Sequence, residues 1–110
     1  MPGSFVSSIT TLRAAAEPTR LRLLALLAHG ELTVGEICEI VGQSQPRISR
    51  HLKVLTDAGL LDRFREHNWV YYRIPPTGDG RDTVHQLLAF VSEDDDTLER
   101  DRNRLQTVVA

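Results

Sequence analysis

Among 110 residues the chain has one cysteine, Cys38. A lone thiol excludes an internal disulfide framework and fits a reducing cytosol. It also falls short of the three or four ligands of a soft-metal site. Long apolar runs are missing as well: none approaches the roughly 20 residues that span a bilayer, and no basic stretch with an apolar core opens the N-terminus. A cytoplasmic protein with no membrane partner is expected. Internal repeats and low-complexity tracts are absent, the nearest being Glu93-Asp94-Asp95-Asp96. No Ser/His/Asp set or paired-carboxylate arrangement stands out, and His29, His51, His67 and His85 fall on different elements. No catalysis, cofactor or bound metal is therefore expected.

Positive charge is also scarce overall, with 13 Lys/Arg against 15 Asp/Glu and a net charge of -2. The balance shifts along the chain. Residues 1–76 hold nine cations and seven anions, whereas residues 77–110 hold four and eight. Attraction to phosphate depends on charge within about 8–10 Å, so a locally basic region still suits a polyanion. The length and the ordinary apolar fraction, 41%, imply one globular domain.

What is present is a run of amphipathic segments. Phe5, Ile9, Leu12 and Ala16 recur at helical spacing over 4–16. Glu17-Pro18-Thr19 breaks that helix, and Pro18 suits the start of the next, 18–28, whose leucines read as core. Thr33-Val34-Gly35-Glu36 matches a capping box opening a short helix that Gly42 stops. Ser44 is placed to cap a further helix to Ala58, with Gly59 as its stop. Two helices joined by about three residues form a helix-turn-helix pattern. Leu60–Arg65 and Trp69–Ile74 then read as a β-hairpin, 75–80 as a loop, and 81–92 as another helix. Residues 96–108 have helical spacing but are too polar to bury much alone. The expected fold is mainly α with a small β-hairpin, a winged helix-turn-helix of order α-α-α-α-β-β-α. Its expected domain is 1–92, followed by an acidic tail or connector, 93–110.

At 100° per residue, Ile48, Leu52 and Leu55 share one arc of the 44–58 helix. The opposite arc carries Arg47, Arg50 and Lys53, flanked by Gln45 and Ser49. Those side chains match what base edges in a major groove offer, since Arg pairs with guanine and Gln with adenine. Read in isolation, the same face would be an ordinary solvated one; its place as the second helix of the motif favours double-stranded DNA. Arg63, Arg65, His67 and Arg73 decorate the hairpin, either as phosphate contacts or as ordinary exposed residues. Trp69, Tyr71 and Tyr72 are expected to pack in the core and hairpin.

Over residues 11–75 the chain resembles the ArsR/SmtB family of bacterial winged-helix repressors. The resemblance is carried by Glu17-Pro18-Thr19-Arg20-Leu21-Arg22-Leu23-Leu24, by Ser44 to Leu55, and by Ala58-Gly59-Leu60-Leu61 leading to Trp69–Ile74. It implies a homodimer joined through its terminal helices, bound to an imperfect palindromic operator, and released by an effector that the sequence does not name. Departures from the family bear on that effector. The Cys-x-Cys pair of metal-sensing members is replaced across Glu31–Ile37. Cys38 reads as a small buried hydrophobe rather than a sensor. Asp82 and His85 stand as Asp-x-x-His where the family's second metal site has Asp-x-His. At the wing tip His67-Asn68 replaces the usual glycine; both tolerate positive φ. The string from Phe90 to Leu105 is similar to the connector of a subgroup fused to S-adenosylmethionine-dependent methyltransferases. Two rivals stay open: an appendage of such an enzyme, and a winged-helix interaction module without DNA binding.

Overall fold

The computed structural model describes residues 3–109. Its elements are α1 (Phe5–Ala15), α2 (Pro18–Leu27), β1 (Leu32–Thr33), α3 (Val34–Val41), α4 (Gln45–Asp57), β2 (Asp62–Glu66), β3 (Trp69–Arg73), α5 (Gly78–Ala89) and α6 (Asp96–Val109). The capping box forms as the sequence predicts. Thr33 Oγ1 accepts from the Glu36 amide at 3.2 Å, and Glu36 Oε1 accepts from the Thr33 amide at 2.9 Å. Gly42 ends α3 in the left-handed region, φ 71°, where a side chain would be strained.

Ser44 behaves differently from its expected role. It occupies the cap position of α4, but its side chain makes no cap hydrogen bond. Pro46, inside the first turn, has no N–H to offer it, and the Ser44 carbonyl accepts from the Ile48 amide at 3.0 Å as the first bond of the helix.

The hairpin forms, and a strand the sequence did not suggest joins it. β1 pairs antiparallel with β3 through Leu32–Tyr72 and Thr33–Tyr71, so the sheet order is β1-β3-β2. Two residues are too few to show an alternating pattern; pairing with β3 alone makes them a strand. α5 begins and ends three residues before the expected 81–92. A helix can start at this glycine-rich stretch because Asp79 suits its first turn and Gly80 fits closely under the Gly59 carbonyl.

One core joins all layers. Leu23, Leu24, Ile37, Ile40, Ile48, Leu52, Leu55, Leu60 and Val84 are fully buried. α6 docks on α2 and α3 rather than hanging free. Among the described residues its Asp101 is the one buried charged group, 2% exposed, and it is held by Arg22. No helix among the described residues is long and apolar enough to cross a membrane.

Gly80→Ala tests the packing of α5. The new methyl would overlap the Gly59 carbonyl, which is backbone and yields poorly. A loss of about 1–3 kcal/mol is expected in urea unfolding; a variant as stable as the parent would show that α5 docks elsewhere.

Candidate nucleic-acid interface

α4 divides cleanly into two faces. Ile48, Leu52 and Leu55 are buried, while Gln45, Arg47, Arg50 and Lys53 are exposed and Ser49 is half-buried. Gln45 Nε2 donates to Ser49 Oγ at 2.7 Å, and Lys53 Nζ pairs with Asp57 at 2.9 Å. Among the described residues, Arg47 and Arg50 have no hydrogen-bond or ion-pair partner, so both guanidiniums stand free at the N-terminal half of the helix. The helix is steadied from behind. Arg20 Nη1 lies 3.3 Å from His51 Nδ1, and Glu17 Oε2 lies 3.7 Å from it, so His51 packs at the edge of the buried arc. Gln43 Nε2 donates to Thr19 Oγ1 at 3.2 Å and ties the turn to α2.

The hairpin brings together part of the expected wing. Arg63, Arg65 and His67 are exposed, and His67 takes φ 57° at the turn, the conformation foreseen for the glycine-free tip. Arg73 is not at the tip. It lies at the hairpin base, 4.7 Å over the Phe64 ring and 3.7 Å from Asp62, with its Nε buried and, among the described residues, without a hydrogen-bond partner. Phe64 stacks on Tyr71 with centroids 5.5 Å apart. Trp69 departs from the expected packing and is 63% exposed. Its place beside the turn, opposite Glu66, leaves it no core to enter. The long-range ties to α2 escaped sequence reasoning, and no local signal marks them.

The model of the family described as bacterial regulatory protein, arsR family, matches residues 17–63, which span α2 to the start of the wing. The transcriptional repressor SdpR of Bacillus subtilis (strain 168) is 34% identical over 86 residues, covering 78% of this chain and 94% of that protein. The chain belongs to the arsR family of bacterial regulatory proteins. The arsenical resistance operon repressor of Escherichia coli (strain K12) is 43% identical over 74 residues, 66% of this chain and 63% of that protein. The match thus spans less than two thirds of that longer relative. Among solved structures, the homodimeric winged helix-turn-helix DNA-binding domain (fragment 1–100) of Mb0332 from Mycobacterium bovis superposes with a TM-score of 0.68. It is 31% identical and covers 83% of this chain and 86% of that one.

Within this arsR-family chain, residues near the family's sensing positions do not gather. Asp82 is exposed and hydrogen-bonded by the neighbouring Arg81 at 3.1 Å; His85 is exposed on the same helix. Among the described residues no group of three or more His, Cys, Asp or Glu is placed to hold a metal. Cys38 is half-buried against the core, and that burial pushes its thiol above the ordinary value. A raised value leaves less thiolate at neutral pH. Iodoacetamide should therefore modify Cys38 more slowly in the folded protein than in urea at pH 7.5, as followed by mass spectrometry. Faster reaction in the folded state would mark a reactive thiol instead.

Proposed function

We propose that this chain is a transcriptional repressor that binds double-stranded DNA as a homodimer at an imperfectly palindromic operator. The observation that carries the reading is α4: one face is fully buried, the other presents two unpaired arginines, and the helix is second in a helix-turn-helix followed by a wing. In this reading Arg47 and Arg50 pair with guanines, Gln45 and Ser49 contact base edges or phosphate, and Lys53 contacts phosphate. Arg63, Arg65 and His67 grip the backbone or adjacent minor groove, adding affinity with little sequence information. Arg73 serves from the hairpin base, where it stiffens the wing through Phe64.

Dimerisation is supported by apolar residues that the monomer leaves uncovered: Phe5, 82% exposed, with Val6, Ile9 and Leu12 on α1, and Phe90, 76% exposed, at the end of α5. That a relative is described as homodimeric supports dimerisation as such. Two copies would place their α4 helices in successive major grooves, about 34–36 Å apart. Release by a thiolate-bound metal is not part of this reading, because Cys38 is the sole thiol. The finer placement in the methyltransferase-fused subgroup rests on the string from Phe90 to Leu105.

Fluorescence anisotropy against the duplex upstream of the chain's own gene, with a scrambled duplex and two salt concentrations, tests the reading. Tight, salt-sensitive and selective binding is expected, and no binding at low salt would sink it. Arg50→Ala should weaken binding to the native duplex by about 1–3 kcal/mol, whereas unchanged affinity would remove Arg50 from the contact set. Leu12→Glu should convert the dimer to a monomer in light scattering and abolish selective binding; a persistent dimer would take α1 out of the interface.

A further inference from the structure

The last turn of α3 is the elbow of the helix-turn-helix, and α6 reaches it from the far end of the chain. A helix end leaves backbone carbonyls without partners. Here the Gly42 amide donates to the Cys38 carbonyl at 2.9 Å. Arg104 Nη1 donates to the Ile40 carbonyl at 3.0 Å, and Arg22 Nη2 donates to the Val41 carbonyl at 3.1 Å. Asp101 holds Arg22 in a fork, accepting from Nε at 2.6 Å and from Nη2 at 2.8 Å. Two guanidiniums thus cap the negative end of α3, and both depend on α6. A buried carboxylate stripped of its partner is strongly unfavourable, so Asp101 and Arg22 dock together or not at all.

We infer that α6 is the positioning element of the reading head, and that Arg22, Asp101 and Arg104 set the angle at which α4 meets DNA. The inference rests on the DNA-binding reading above. Only Gly42, Gln43 and Ser44 separate the two helices, so a change of direction at Val41 carries α4 with it. Arg50 lies about 7.5 Å along α4, and a swing of roughly 10° displaces its backbone by ~1.3 Å. That is enough to break a bidentate pair with a base, whereas a phosphate contact tolerates it. Arg22, Asp101 and Arg104 are therefore positioning residues: they touch no base, yet selectivity depends on them.

The test begins with wild-type protein selecting a preferred duplex from a randomised pool. A protein that selects none overturns the DNA-binding reading itself, before any variant is made. Affinity for the selected and a scrambled duplex is then measured for Asp101→Asn, Arg104→Met and the double variant Arg22→Met/Asp101→Leu, each with its melting temperature. The single variants should bind the selected duplex about 3- to 30-fold more weakly and the scrambled one within about twofold of wild type. In the double variant an apolar pair replaces the ion pair and keeps α6 docked, so the melting temperature should hold or rise. The Val41 carbonyl nonetheless loses its donor, and selective affinity should stay low. A stable double variant with wild-type selectivity overturns the inference, as does a parallel loss of both affinities that tracks the melting temperature. If the double variant fails to fold, Arg104→Met decides alone, because it leaves the buried pair intact.

Discussion

Ile48, Leu52 and Leu55 are withdrawn from solvent together, and which face α4 turns outward follows from that withdrawal. Each such burial is worth roughly 1.5–3 kcal/mol. The exposed Lys53–Asp57 pair on the same helix falls in a class worth about 0.3–0.5 kcal/mol. Packing therefore decides which way the helix faces, and the polar residues take whatever side remains. The core does not bury Arg47 and Arg50; it turns them outward. The leucines of α2 and the isoleucines of α3 supply the surface that receives the three side chains.

Depth is set by that core, and direction by polar ties that converge on α2. Arg20 sends Nε to the Ala14 carbonyl at 2.6 Å and Nη2 to the Arg13 carbonyl at 3.3 Å, closing the end of α1, while Nη1 meets His51 on α4. Two residues later, Arg22 closes the end of α3 and engages α6. One helix thus finishes two others, using neighbouring arginines aimed at different partners. The bond to Asp101 is the main reason the Arg22 guanidinium is held above its ordinary value, against the opposing effect of its partial burial.

The helices before the wing are legible in apolar spacing, because Phe5–Ala16, the leucines of α2 and the Ile48–Leu55 arc each follow the helical period. The capping box of Thr33 and Glu36 is legible for a local reason: its partners lie three residues apart. Arg22 and Asp101 lie 79 residues apart, and no window of sequence joins them. A stretch as polar as α6 reads as a tail because its docking depends on a charge whose partner is remote. Two-residue β1 is invisible for the same reason, since only its register with β3 defines it. Within the reading face, residue types were legible but their internal pairing was not: Gln45 with Ser49, Lys53 with Asp57, and Arg73 folded back on Phe64.

Trp69 is the chain's single tryptophan, and it stands at the wing rather than in the core. Its indole is already largely solvated in the native state. Intrinsic emission from this protein consequently describes one hairpin and carries little information on global unfolding. An optical probe usually valued for watching a core melt here watches the surface, at the end of the molecule where the backbone turns through His67 and Asn68.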